Sequence, residues 1–416
     1  MTATAPPVAA VLLTGDELLQ GRVRDTNGPF LGASLIEAGF SVRRSLVVAD
    51  EPAEIAAALR WLLAGEPRLI VISGGLGTTH DDVTMATVAE VLERPLIRHE
   101  DAWRHVRDRV REVAARRHLD AAELESQAAR QALLPRGARC VAPAGLAPGA
   151  IVDAGVTAVV VLPGVPRELE TMWPPLLAEL AAGLPRPRVR LLRVHGVGEM
   201  QVVPIVEAVP RDGLEVGITA GDGEIVIRIA AYDDRAEERA AVLAERLSDE
   251  LPVFSSDGRT LDELVAESLR RRHATVAVAE SCTGGLLGAR LTALPGSSDY
   301  FVGGVLSYSD RLKERLLDVP VALLRRHGAV SAPVAEAMAC GVRARTGAEY
   351  ALAVTGIAGP AGGSAEKPVG LVYVACTTPQ ASTVTEHRLP GDRATVRDAT
   401  VTAALHALRR SLDERP

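Results

Sequence analysis

A chain of 416 residues is too long for one hydrophobic core of ordinary size, and 47% hydrophobic, 24% charged and only 3% aromatic residues describe two or three globular domains cored by Ala, Val and Leu, which excludes a disordered chain. With 46 basic against 53 acidic side chains the formal charge is −7, and the basic residues are scattered along helix-like segments, so no direct DNA binding is expected. Cys140, Cys282, Cys340 and Cys376 form no C-x-x-C pair, no apolar run approaches the ~20 residues that span a bilayer, and Met1–Leu13 has no basic leader, so the expectation is a cytoplasmic protein with no zinc motif and no membrane partner.

Along the first half, β-like and helix-like runs alternate. Val8–Leu13 is apolar, Thr26–Ala38 helical, Val42–Val48 apolar, Pro52–Leu63 helical, and Leu69–Ile72 runs into glycines. Such alternation predicts parallel strands with crossover helices. Two further apolar runs, Ala150–Val152 and Ala158–Leu162, end in Pro163-Gly164-Val165-Pro166 before a helix through about Leu180, which puts the end of a first domain near residue 175. From 176 to 253 a helix near Gln201–Val209, a strand Glu224–Ala230 and a charged helix Arg235–Leu247 suggest a small α+β connector. Its Gly196-Val197-Gly198 fits a phosphate loop or, more simply, a turn. From 254 onward the alternation resumes: helix 260–272, strand Thr275–Ala279, helix 284–294, strand 301–307, helix 331–345, strands 350–355 and 369–375, and a helix 393–412. The expected fold class is α/β, with two α/β sandwich domains of mostly parallel sheets joined by a small α+β domain.

In the first domain two clusters follow strands. One is Gly15-Asp16-Glu17 through Gly21 with Asp25-Thr26-Asn27; the other is Ser73-Gly74-Gly75-Leu76-Gly77 through Asp81-Asp82-Val83-Thr84. They should lie side by side at the carboxyl edge of one sheet, where ligands bind in doubly wound folds. Glu17, Gly21, Asn27, Gly74, Gly75, Gly77, Pro163 and Gly164 are the candidate nucleotide-binding residues. Asp81 and Asp82 are candidates for a divalent cation bridging to a diphosphate, or simply acidic residues at a helix N-terminus. With Leu162 through Glu168, these motifs resemble the molybdopterin-binding-like domain of the CinA family across about residues 5–175. That resemblance implies a metal-dependent ADP-ribose pyrophosphatase. Thr78 stands where the family favours proline, and Ala142 and Leu146 stand where it carries Asn and Thr before Ala147-Pro148-Gly149.

In the last domain the strand Thr275–Ala279 runs through Glu280-Ser281-Cys282-Thr283-Gly284-Gly285 into a helix. Hydroxyls and backbone N–H groups there suit a phosphate or a developing oxyanion, or Ser281 or Thr283 merely caps the helix. Glycines at strand ends, including Gly284, Gly285, Gly356 and Gly359, are read as backbone approaching a ligand, with Thr283 beside them. Together with Gly328 through Ser331, Thr355 through Pro360, Lys367-Pro368-Val369-Gly370 and Pro390-Gly391-Asp392-Arg393, these motifs resemble the nicotinamide-nucleotide amidohydrolase family over about residues 260–412. The two matches in order are similar to the CinA family as a whole.

The resemblance implies hydrolysis of the carboxamide of nicotinamide mononucleotide, without a cofactor at this site, in a protein that is typically a homodimer. Such chemistry needs a nucleophile, a base and oxyanion donors. Ser281 is the candidate nucleophile, Lys313 a desolvated base, Tyr308 a residue that could hold or relay the proton, and Arg393 a partner for the nucleotide phosphate. Cys282 is the alternative nucleophile, and His327 or His387 the alternative base. The alternative for Lys313 and Arg393 is a surface cation, and Lys367 reads as a loop clamp or an ion-pair partner. Two other classes stay open: an N-terminal module that binds a nucleotide or pterin without turnover, and a competence or DNA-repair accessory acting through protein contacts.

Overall fold

A computed structural model describes residues 6–78, 82–221 and 223–413. The chain divides into two compact units, Met1–Pro187 and Arg188–Pro416.

The first unit is built on strands β1 (Val8–Thr14), β2 (Ser41–Val48), β3 (Leu69–Ser73), β6 (Arg139–Val141), β7 (Gly149–Ala154) and β8 (Thr157–Leu162), with a separate short pair, β4 (Leu96–Arg98) and β5 (Leu133–Pro135). The main sheet runs β2-β1-β3-β8-β7-β6. β2, β1, β3 and β8 are parallel, whereas β7 and β6 turn antiparallel at one edge. The reversal has a local cause: β7 and β8 are joined by the two-residue turn Gly155-Val156, with Gly155 at φ +72, and so short a connection cannot make a parallel crossover. Alternation along β1 explains its continuous apolar run. Ala9, Val11 and Leu13 pack toward Leu31, Leu35 and Trp173, and Ala10 and Leu12 pack toward Leu59, Leu62 and Val88 on the opposite face.

The second unit opens with an antiparallel sheet of β9 (Arg188–His195), β10 (Leu214–Gly221), β11 (Glu224–Ala231) and β12 (Val253–Ser255), in the order β10-β11-β9-β12, with helices Glu199–Glu207 and Asp234–Glu250. Beyond it, β13 (Val276–Glu280), β14 (Phe301–Leu306), β15 (Tyr350–Gly356), β16 (Leu371–Thr377) and β17 (Ser382–Arg388) form a sheet in the order β14-β13-β15-β16-β17. Only β14, β13 and β15 are parallel; β16 and β17 follow as antiparallel neighbours. Val276 and Val278 face the helices Leu261–Arg271 and Arg393–Asp413, while Ala277 and Ala279 face the helix Ala332–Thr346. Small residues on that second face let the helix approach closely. No helix of the described residues is long and apolar enough to cross a membrane.

Candidate functional site

β13 and β14 end side by side, and their carboxyl ends carry Ser281 and Ser307. Ser309 caps the helix Asp310–Leu317 by accepting the Leu312 N–H, and this short helix turns Lys313 back toward the sheet. Lys313 is 0% exposed, which rules out the surface reading. Its Nζ lies 3.1 Å from Ser281 Oγ, 2.7 Å from the Ser307 carbonyl oxygen and 3.2 Å from that of Tyr308. Burial pushes its pKa below the ordinary lysine value, while Asp310 and Cys282 push it the other way. As an ammonium it donates to all three oxygens. As a neutral amine its two N–H groups satisfy the two carbonyls, and the lone pair is left for the Ser281 hydroxyl.

Tyr308 enters this arrangement differently from the expectation. Its side chain is 65% exposed and makes no hydrogen bond among the described residues; its main-chain carbonyl is what holds Lys313. Just past the end of β14, Ser307 is buried and Tyr308 exposed, continuing the in-and-out pattern of the strand.

The helix end after Ser281 also differs. Glu280, 1% exposed, reaches into the turn: its Oε2 accepts from Thr283 Oγ1 at 2.7 Å, Gly285 N at 2.9 Å and Leu287 N at 3.2 Å, and its Oε1 from Gly288 N at 2.9 Å. A carboxylate of the chain itself therefore occupies the positive end of helix Leu286–Leu291, which is not left open for a phosphate. Gly284 and Gly285, at φ +59 and +102, make the reversal that lets these donors converge. Gly356 and Gly359 are also required by packing: a Cβ would lie 2.6 Å from Val372 at the first and 2.7 Å from Val369 at the second.

Cys282 is buried, and burial pushes its thiol up to about 11, which makes it a poor nucleophile. His387 lies on β17, three strands from β13, and bonds Thr385. The carbonyl of His327 accepts from Lys367 Nζ at 2.6 Å, as does that of Val330 at 2.7 Å, so Lys367 clamps two loops through backbone and forms no ion pair among the described residues. Arg393 donates to the Gly359 carbonyl at 2.8 Å, and Arg397, which the sequence reading passed over, donates to that of Thr283 at 2.7 Å. Glu280 has no role in the motif as read from the sequence; its signal there is an acidic residue closing an otherwise uniformly apolar strand.

In the first unit the loops after β1, β3 and β8 enclose a cleft of about 600 Å³ lined by Glu17, Asn27, Gly74, Gly75, Gly77, Asp82, Pro163 and Gly164 among others. Asn27 Nδ2 donates to Ser73 Oγ at 3.2 Å and to the Gly164 carbonyl at 2.8 Å, and Ser73 Oγ donates to the Pro163 carbonyl, tying the ends of β3 and β8 to the start of helix Asn27–Glu37. Gly74 and Gly75 have positive φ, and a side chain on either would collide with Thr14 or Thr84. Gly21 is not part of the cleft lining; at φ +66, with its N–H on the Leu18 carbonyl, it is the turn residue after helix Asp16–Leu19.

Asp82 accepts the Gly77 N–H at 2.6 Å and lies 3.7 Å from the Arg130 guanidinium. Asp81 falls outside the described residues. Asp50 and Glu168 also line the cleft, and burial raises the pKa of both. Among the described residues no three His, Cys, Asp or Glu side chains converge as a metal cage. The remaining motif, Gly196-Val197-Gly198, is the turn between β9 and helix Glu199–Glu207, where the Gly198 N–H donates to Gln201 Oε1.

Comparison with known proteins gives two family matches along the chain. A family described as "Probable molybdopterin binding domain" matches residues 10–182, and one described as "CinA C-terminal domain" matches residues 258–412. The chain is 42% identical to a CinA-like protein of Mycobacterium sp. (strain JLS) and 41% identical to one of Mycobacterium marinum (strain ATCC BAA-535 / M), in each case over 98% of this chain and 99% of the relative. Among solved structures, competence/damage inducible protein CihA from Agrobacterium tumefaciens is 40% identical, covering 37% of this chain and 96% of its own, with a TM-score of 0.36. The protein CinA from Thermoplasma acidophilum, described as of unknown function, is 34% identical, covering 42% of this chain and 98% of its own, with a TM-score of 0.37. The chain belongs to the family of CinA-like proteins, carrying a molybdopterin-binding-type domain ahead of a CinA C-terminal domain.

Proposed function

We propose that the C-terminal site hydrolyses the carboxamide of nicotinamide mononucleotide, and the observation that carries this reading is the fully buried Lys313 amine 3.1 Å from Ser281 Oγ. Neutral Lys313 takes the hydroxyl proton as Ser281 Oγ attacks the carboxamide carbon. Backbone N–H groups of the turn would meet the tetrahedral oxyanion; those of Cys282 and Thr283 are not among the donors that Glu280 holds. The lysine ammonium protonates the departing nitrogen, ammonia leaves, and a nicotinoyl ester remains on Ser281. Water, deprotonated by the same amine, cleaves the ester to nicotinate mononucleotide and restores Ser281. No cofactor enters these steps.

For the N-terminal cleft the proposal is hydrolysis of the diphosphate of ADP-ribose. Asp82 belongs to no cage of three such ligands among the described residues, which suits a cation of the magnesium type that takes most of its oxygens from ligand phosphates and water. Such a cation would neutralise charge on the diphosphate. A second reading, ligand binding without turnover, is favoured by Leu146, an apolar residue in the cleft lining.

The test is to incubate the purified chain separately with nicotinamide mononucleotide and with ADP-ribose, with and without a chelator, and to identify products. Expected are chelator-resistant release of ammonia and nicotinate mononucleotide, and chelator-sensitive release of AMP and ribose 5-phosphate that Asp82→Ala abolishes. An unchanged mononucleotide, or deamidation lost on chelation, would overturn the first assignment; unchanged ADP-ribose would leave the binding reading for the cleft.

A further inference from the structure

Gln131 stands on the short helical turn Ala129–Ala132 and lines the N-terminal cleft, yet it is only 9% exposed. Its Nε2 donates at 2.8 Å to the carbonyl of Leu76, in the loop after β3. That bond fixes the amide, because turned over it would set Oε1 against the Leu76 oxygen, acceptor against acceptor. Oε1 itself is buried with no hydrogen-bond partner among the described residues. A glutamine that only fastened the loop would use its amine alone, and a buried carbonyl oxygen left unpaired works against folding. On a residue that lines the cleft, that oxygen is the group left to a ligand.

The chemistry of the oxygen narrows the ligand group. A side-chain carbonyl has lone pairs and no proton to offer, so it takes an N–H or an O–H and repels a phosphate or carbonyl oxygen. Phosphate charge has a different neighbour, the preceding Arg130, whose guanidinium lies 3.7 Å from Asp82. Two successive residues thus offer opposite chemistries, a cation and a neutral acceptor. Leu76, Leu146 and Ala147 give the same cleft apolar lining, and in such surroundings a single hydrogen bond gains strength while a missing one becomes costly.

We propose that Gln131 determines specificity in the N-terminal cleft: its Oε1 accepts a hydrogen bond from an amine or hydroxyl of a nucleotide, and a nucleotide that presents an acceptor or nothing at that place is rejected. The proposal rests on reading the cleft as a nucleotide site, not on hydrolysis there.

Calorimetry on the full chain tests it with ADP-ribose, its counterpart carrying hypoxanthine in place of adenine, which turns the amine into a carbonyl, and counterparts lacking one ribose hydroxyl. In wild type, loss of the donor that meets Gln131 should weaken binding about 5- to 100-fold, and which counterpart suffers tells amine from hydroxyl. In Gln131→Met, of similar size but without the acceptor, that penalty should shrink to about unity. Gln131→Glu, which keeps an acceptor oxygen at the same reach, should retain it. The penalty is a ratio taken within each variant, so partial unfolding lowers both affinities and leaves it unmoved. A penalty that persists in Gln131→Met, or that vanishes equally in Gln131→Glu, would overturn the proposal, as would a wild type that binds every counterpart as well as ADP-ribose or binds none of them. If ADP-ribose is bound with this selectivity but never split, the hydrolase reading fails and the role of Gln131 stands.

Discussion

At the scale of single residues, the account turns on protonation. Burial is the leading influence on Lys313 and lowers its pKa. The reactive form is the neutral one, so kcat/KM should rise with pH and level off with a midpoint below the ~10.4 of an unperturbed lysine. A profile that rises only through the ordinary lysine range, or one that falls with pH, would remove Lys313 as base. Cys282 titrates in the opposite sense: held near 11 by burial, it stays a thiol at neutral pH. Cys282→Ala should therefore keep kcat within a few-fold of wild type, and a large loss would move the nucleophile one residue along. The residue types for this chemistry were legible in the sequence, because a serine in a glycine-rich turn with no nearby histidine leaves lysine as the available base. The role of Tyr308 was not, since a sequence does not tell a side-chain contact from a main-chain one.

At the scale of elements, the turn from β13 into helix Leu286–Leu291 is held by a single carboxylate accepting four donors. Glu280→Gln replaces one acceptor oxygen by a donor that faces N–H groups. Charged hydrogen bonds of this kind are worth ~1.5–3 kcal/mol each, so the second unit should lose about 3 kcal/mol or more, read as a lower denaturant midpoint. An unchanged midpoint would show that the turn does not depend on Glu280. The elements legible beforehand were those with a clear period or a clean apolar run: Pro52–Leu63 and Glu224–Ala231 stand within a residue of their expected limits. Those missed carry mixed patterns. β10 is an edge strand broken by glycines, β9 is interrupted by arginines, and the helix Glu100–Arg117 is so charged that only Ala102, Val106, Val110 and Ala114 mark its buried stripe. The antiparallel edges of both α/β sheets also escaped, because apolar runs alone do not reveal strand direction.

At the scale of the whole molecule, the second unit carries a built-in sensitivity to acid. His406 is buried on the last helix, donates to Glu224 Oε1 at 3.1 Å, stacks on His195 with ring centroids 3.7 Å apart, and meets Phe254 edge-on. Burial first, then His195, Arg409, Arg410 and Arg290, push its pKa down to about 2, and burial lowers His195 and His387 as well. The folded state then binds fewer protons than the unfolded one below the unfolded value of ~6.5, so stability is full above that pH and declines as pH falls below it. Between pH 7 and 5 the loss should be about 2 kcal/mol for His406 alone, and His406→Gln should flatten the slope of denaturant midpoint against pH. A midpoint constant over that range would contradict the neutral imidazole.

The central claim is that Ser281 and Lys313 act as one catalytic unit, and turnover of nicotinamide mononucleotide by wild type, Ser281→Ala, Lys313→Ala and the double variant measures it most directly. Each single substitution should lower kcat by orders of magnitude, the double variant should be little worse than either, and Lys313→Arg should not restore activity, because a guanidinium stays protonated. Near-wild-type turnover in Lys313→Ala, or losses that multiply in the double variant, would contradict it.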